Sequence, residues 1–527
     1  MVLLMFLCGT MLWAGGGGQQ SSSAASSISD SDKIFPQPRT IRVLWTEHPS
    51  YPFDRNSISI QTIFERTNAR LDAELIPQAG AGERRNILIA TNDLPELSFF
   101  PPGGLISNHY QDGIYLELSQ YMNLMPNFRQ FWDTMPQLRR SGNDDKLYCF
   151  HVLAPREPWP LPGPVIRTDL LERHNLPVPS TFTQLIDVLE ALKRIYPDSR
   201  PWTNRNGTNQ LFSAQAAYSM GSGWGMYWED NVNRWLFGQA TPEFKLALEV
   251  FADAYRRGVL DPDYATNNQD SWRNKSVSGQ SFFFYDNSQF AIDFTRMMQI
   301  NDPSMKMELI PTLTNARGQR RTRQFSPSYE YDLGSYTLAI RSDIRDPERI
   351  MRLVDWLYSE EGFIASNFGI EGLSFRFDSD GEPQYIPEWV SSIRRSPNVY
   401  TDVATIGGFG KQNSFGLITG ENMLMISSQK ASGQWDEVNE NWWGLIDRES
   451  SEGVYTRHGF PPIFTAEEQN TIRNLSTRVN TFLNQEYHKY ITGIEPISNW
   501  DAVVRQAREL GAQQLEDIYN RAEARSN

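Results

Sequence analysis

The sequence predicts an α/β fold in more than one unit, and three observations carry that expectation. The chain has 527 residues, and at roughly 150 residues per domain this is too long for one small module. From about Thr40 to Phe100, strand-like apolar runs alternate with amphipathic helical ones, the pattern of βαβ units. A second set of the same kind follows the proline-rich stretch Pro155 to Pro164.

Taken in order, Ile41 to Thr46 reads as a strand, and Ile58 to Asn68 as a helix with Ile60, Ile63 and Phe64 on one face. Leu71 to Ile76 reads as a second strand, Glu83 to Thr91 as a helix and Leu97 to Phe100 as a short strand. Thr181 to Gln184 forms a capping-box sequence, Thr-x-x-Gln, ahead of a stripe of Phe182, Leu185, Ile186, Leu189 and Leu192 that Pro197 stops. Thr241 and Pro242 predict N-cap and first position of the next helix, with Phe244, Leu248, Phe251 and Tyr255 buried and Gly258 at its end. Asp346-Pro347 repeats the device before Ile350, Met351, Val354 and Leu357. Asp378 to Gly381 predicts a hairpin turn between Phe375–Phe377 and Gln384–Ile386. Thr465 to Glu468 is a second capping box, opening a long helix, and Trp500, Val503, Val504 and Ala507 stripe another.

The chain starts with an apolar run, Val2 to Trp13, followed by Ala14 and four glycines. It is too short to span a bilayer and is shaped like the core of an export signal. Residues 1–18 are therefore expected to be a signal peptide, and the Ser-rich residues 19–39 a flexible linker. Cys8 stands in mid-run rather than after small residues at its end, which speaks against lipid anchoring. The expected location is periplasmic or extracellular.

Lys plus Arg number 49 against 63 Asp plus Glu, for a net charge of −14. Such a surface repels polyphosphate, so nucleic acid is excluded as a natural partner. With only Cys8 and Cys149, no disulfide framework is available. The six histidines never occur at metal-ligand spacing. No Gly-x-Ser-x-Gly elbow occurs, and neither Gly221–Gly225 nor Gly407–Lys411 completes a phosphate loop. No catalytic residue, metal or cofactor is expected.

Aromatic residues expected in Gly-rich or polar loops stand out instead: Trp159, Trp224, Tyr227, Trp228, Tyr285, Tyr329, Tyr331, Trp435, Trp442 and Trp443. A flat ring beside carboxylates and amides suits a sugar, whose C–H face packs on the ring while its hydroxyls exchange hydrogen bonds. The alternative use of such rings is to pin loops onto the core. The candidate substrate-binding set is Trp45, Asp93, Trp159, Trp224, Tyr285, Asp286, Asn287, Glu330, Tyr331 and Trp443.

Four spaced segments carry a family likeness. They are Val165 to Thr181 (VIRTDLLERHNLPVPST), Pro242–Lys245 with Gly258–Asp263, Ser359–Gly362 with Asn367–Gly372, and Phe482 to Trp500 (ending ITGIEPISNW). In this order they resemble the extracellular solute-binding proteins of family 1, within them the large subgroup that serves carbohydrate ABC importers. Thr91 to Glu96 is similar to the family's helix-to-strand turn in the first lobe. The resemblance implies a two-lobe, periplasmic-binding-protein-like type II fold with a hinge and extra C-terminal helices. Lobe 1 would hold 40–155 and 333–375, and lobe 2 would hold 156–332 and 376–527, with hinges near Pro155–Pro164 and Tyr329–Leu333. It further implies a monomer that captures a carbohydrate, an oligosaccharide, between the lobes and delivers it to membrane permease subunits without catalysing a reaction. A secreted glycoside hydrolase using paired carboxylates is the rival, and a surface adhesion or sensory protein a third reading. The subgroup's Asp/Asn-rich calcium loop is replaced here by Pro197-Asp-Ser-Arg-Pro-Trp202, so calcium is not expected there.

Overall fold

The computed structural model describes residues 33–48, 51–77, 80–100, 113–135, 138, 146–153, 162–323, 337–410, 413–456, 462 and 464–526. The expected signal segment, most of the linker, residues 155–161 of the first expected hinge and all of Tyr329–Leu333 lie outside them. The described strands, in chain order, are β1 (Arg39–Glu47), β2 (Ala69–Pro77), β3 (Leu97–Phe100), β4 (Cys149–His151), β5 (Pro162–Ile166), β6 (Met226–Glu229) and β7 (Arg234–Phe237). They continue with β8 (Phe283–Asn287), β9 (Glu308–Leu309), β10 (Thr322–Arg323), β11 (Thr337–Ile340), β12 (Phe375–Phe377), β13 (Pro383–Tyr385) and β14 (Tyr455–Thr456).

Lobe 1 is built on a five-stranded sheet in the order β2-β1-β3-β11-β4. β1 runs parallel to β2, from Arg39 opposite Ala69 to Glu47 opposite Pro77, and parallel to β3, while β11 is antiparallel to β3 and β4. Ile41, Val43, Leu44 and Trp45 of β1 are all buried, as a strand covered on both faces requires. Val43 and Trp45 join Phe99, Phe128 and Phe150 on one side, and Leu44 joins Ile76 and Leu88 on the other. Asn68 ends the helix Ile58–Thr67 in the left-handed conformation, and its amide donates to the Phe35 carbonyl at 2.9 Å.

Lobe 2 holds a smaller sheet, β8-β5-β9, in which β5 is antiparallel to both neighbours. The helix Phe182–Ile195 forms as its stripe predicts. Thr181 Oγ1 accepts from the Gln184 amide at 3.1 Å, but Gln184 Oε1 accepts from Ser180 N instead of closing the box on Thr181. The helix expected from Pro242 begins at Phe244, because Thr241 turns its hydroxyl back to the Gly238 carbonyl and the first turn is of the tighter i→i+3 kind. Gly258, at φ +68°, follows its end.

The C-terminal helices Ala466–Ile491, Trp500–Ala507 and Gln513–Ser526 pack onto lobe 2, where Val479, Leu483, Tyr487 and Trp500 share a core with Phe212, Phe244 and Phe251. Thr465 and Glu468 close the second capping box in both directions. The hairpin β12–β13 turns at Gly381, φ +81°. One segment departs from the expected partition: Phe415, Leu417 and Ile418 belong to the core of lobe 1, and Leu417 O accepts from the Leu153 amide at 2.8 Å. The chain therefore returns to the first lobe there.

Candidate functional site

In open α/β sheets the crevice lies beyond the carboxyl ends of the strands. β1 ends at Glu47 and β8 at Asn287. His48, Tyr51 and Pro52, beyond the first, and Asn287, Gln289 and Phe290, at and beyond the second, line one cavity of about 480 Å³. Its remaining wall is formed by residues of the stretch Arg395–Ile406 with Arg273, Asp293, Phe294 and Met297. Residues from both lobes thus enclose the same space.

Local hydrogen bonds hold each wall. Glu47 accepts from Phe53 N at 3.2 Å, bending the chain after β1. The ring of Tyr51 meets Tyr400 edge-on, with centroids 6.0 Å apart. Asp402 accepts from the amides of Arg395 and Ser396 at 2.7 and 2.8 Å and from the Ser396 hydroxyl at 2.7 Å, so its carboxylate shapes the loop. Asn398 caps the following helix through Tyr400 N at 3.0 Å and donates from Nδ2 to Asp293. Burial pushes the Asp293 carboxyl up to about 6, against the opposing pull of Asn398, Arg273 and Arg296. The cavity combines apolar rings with amides and a few charges, the make-up of a site for a polar organic ligand.

Three comparisons bear on this geometry. No family model matches the sequence. Among curated proteins, the chain is 21% identical over 397 residues to the polygalacturonan/rhamnogalacturonan-binding protein YtcQ of Bacillus subtilis (strain 168), covering 73% of this chain and 77% of that one. It is 24% identical over 346 residues to lipoprotein LipO of the same organism, covering 62% and 65%. Among solved structures, it superposes on the alginate-binding protein AlgQ2, solved without calcium ion, with a TM-score of 0.73 at 19% identity, over 93% of this chain and 99% of that one. The chain has the two-lobe solute-binding fold. The Streptococcus pneumoniae ABC-transporter substrate-binding protein FusA, solved with kestose, matches it with a TM-score of 0.68 at 16% identity over 92% and 99%.

Within that solute-binding fold the candidate residues separate. Asn287 lines the interlobe cavity. Asp286 stands behind it, 2% exposed, with both carboxylate oxygens gripped by Arg205 at 2.9 Å, so its expected role of accepting from sugar hydroxyls is taken by the guanidinium. Tyr285 is in the core; its hydroxyl meets Ser219 and donates to Thr322 at 3.2 Å, and burial raises it to about 12. Trp45 is 1% exposed among Phe53, Phe99 and Phe415. Trp224 stacks on Phe212 at 5.2 Å, nearly parallel, with Phe244 and Tyr487 alongside. Asp93 is exposed and pairs with Arg42 at 3.1 Å, ahead of the start of β3 and thus at the opposite end of the sheet from the cavity. Trp442 and Trp443 sit in the helix Glu437–Ser451 rather than in a loop, and their rings touch each other. Trp159, Glu330 and Tyr331 lie outside the described residues.

The residues that sequence reading passed over are His48, Tyr51, Arg273, Asp293, Arg395 and Asn398. The strand-end rule could have found the first two, since both directly follow a readable strand. In the loop after Tyr196, where calcium is not expected, Lys193 donates to the Ser199 carbonyl at 2.5 Å, and Arg200 donates to the carbonyls of Asp198 and Ser199 at 3.2 Å. Side-chain cations occupy oxygens of the kind a metal would draw on. Among the described residues, no cluster of three or more His, Cys, Asp or Glu could hold a metal ion.

Proposed function

We propose that this protein is an exported solute-binding protein that captures an oligosaccharide between its two lobes and delivers it to the permease of an ABC importer. The observation that carries the reading is the cavity walled by both lobes, with Tyr51 and Phe290 as rings and Asn287, Gln289 and Asn398 as amides. The matched proteins support it: YtcQ is a polygalacturonan/rhamnogalacturonan-binding protein, AlgQ2 an alginate-binding protein, and FusA was solved in complex with kestose.

Binding without catalysis fits the carboxylates. A hydrolase working through paired acids needs two carboxyl groups free to act on substrate. Of the two at this cavity, Asp402 already accepts three hydrogen bonds from its own loop. The protein acts as a monomer, and no helix among the described residues is long and apolar enough to cross a membrane.

A sugar desolvated between two lobes gains contacts on both sides only when the cleft shuts, so it binds the closed form better and shifts the population toward it. Titration calorimetry against a panel of oligosaccharides, with chromatography of the recovered sugar, tests the reading. A hit returned unaltered is expected. Cleavage products would favour the hydrolase, and binding of only amino acids, peptides or metal ions would overturn the substrate class.

A further inference from the structure

Phe290, Asp293, Phe294 and Met297 of the helix Phe290–Met298 all line the cavity. Their spacing, i, i+3, i+4 and i+7, places them on one helical face, so a single half-buried carboxylate interrupts an otherwise apolar wall. Its two oxygens are used unequally. Oδ1 accepts from Asn398 Nδ2, whereas among the described residues no hydrogen bond reaches Oδ2. The other carboxylate at the cavity, Asp402, has both oxygens occupied by its own loop.

The groups around Asp293 leave that oxygen open. Arg296, on the same helix, is turned to Asp436, with both nitrogens at 2.8 Å from its carboxylate, and to the Gln434 carbonyl at 2.8 Å. Burial raises the Asp293 carboxyl to about 6, while Asn398 and the charges of Arg273 and Arg296 favour its ionised form. Arg395, His48, Tyr51 and Tyr400 complete the titratable groups of the wall. A recessed carboxylate oxygen without a donor is costly, and a sugar hydroxyl supplies the donor it lacks.

We infer that Asp293 is a specificity-determining residue of the cleft, whose Oδ2 accepts from a hydroxyl of the captured saccharide, so that the sugar unit held at this wall is uncharged. This rests on the carbohydrate-binding reading above and assigns the group that reads the ligand there. A ligand carboxylate at the same point would meet like charge, and a ligand carbonyl would find no donor on the ionised oxygen. Hydroxyl donation favours the ionised carboxyl, so binding expels a proton wherever the free protein still holds one. With the bound carboxyl returned to the ordinary aspartate range near about 4, affinity should be about tenfold weaker at pH 5 than at pH 7.5, and about half a proton should leave per sugar bound at pH 6.

The test is titration calorimetry on the full protein with malto-, cello-, xylo- and galacto-oligosaccharides and oligogalacturonate. For each that binds, repetition at pH 6 in buffers of different ionisation enthalpy counts the protons released. Asp293→Asn keeps an oxygen for Asn398 and removes the titration, so its affinity should be equal at pH 5 and pH 7.5 with no proton released. His48→Gln removes the other side chain at the wall that changes charge in this range and should leave the release in place. The wild-type measurement needs no variant, so it stands even if Asp293→Asn fails to fold. If Asp293 serves only to hold Asn398, a saccharide will bind without proton release and equally well at both pH values. That result, or a release lost in His48→Gln and kept in Asp293→Asn, would overturn this inference and leave the carbohydrate reading in place. If no saccharide binds at any pH, the carbohydrate reading fails and this inference falls with it.

Discussion

Asp286 shows how little a residue type says about its use. In the sequence it is a carboxylate beside an aromatic, and in the fold it is the buried counterion of Arg205, whose guanidinium also lies over Trp272 and Phe290. Breaking a buried pair by removing one partner strands the other charge. Asp286→Asn should therefore lower unfolding stability by about 3 kcal/mol, read from denaturant midpoints at unchanged m-value. Asp293 has the opposite character, because burial raises its carboxyl to about 6. The folded state then holds this proton more tightly than the unfolded chain does. Its contribution to stability is fullest below the ordinary aspartate range, falls as pH rises from about 4 through about 6, and is constant above about 7. Asp293→Asn should flatten that part of the stability profile, and an unaltered profile would place the titration elsewhere. These outcomes were not legible in the sequence, because exposure and partners belong to the fold. His48 and Tyr51, Asn287 and Asp293, and Arg395 and Asn398 come from three stretches at least a hundred residues apart in the chain.

At the scale of elements the sequence spoke more clearly. Helices with a strong stripe and a capping residue, such as Phe182–Ile195 and Ala466–Ile491, form where those signals stand, because 3.6-residue periodicity and an N-cap oxygen act locally. The hairpin at Gly381 follows from local turn chemistry in the same way. Local signals failed where a tertiary partner competed, as when Thr241 bonded backward to Gly238 and delayed its helix. They also failed for Trp442 and Trp443, whose helix, Glu437–Ser451, is marked by an Asp436 capping box rather than by a simple apolar stripe. The loop after Tyr196 yields a further expectation. Lys193 and Arg200 meet carbonyls of Asp198 and Ser199 there, so a chelator should leave the melting temperature unchanged. A drop of several degrees on chelation would mean that a metal supports the fold.

For the whole molecule, the alternation of strands and helices was enough to read the α/β class, and the spaced segments resembling solute-binding proteins implied two lobes. The return of Phe415 to Ile418 into the first lobe was not readable, since an apolar run of that length suits either core. That return matters for function. It ties the wall Arg395–Ile406 between a lobe 1 segment and the helix Phe290–Met298, so movement of one lobe against the other must alter the cavity. The central claim is that an oligosaccharide is held by both lobes at once. Hydrogen–deuterium exchange with and without a saturating oligosaccharide identified by calorimetry tests it most directly. The account predicts slower exchange both in the segment after β1, around Tyr51, and in the segments 287–293 and 396–402. Protection confined to one lobe, or none despite saturation, would contradict it.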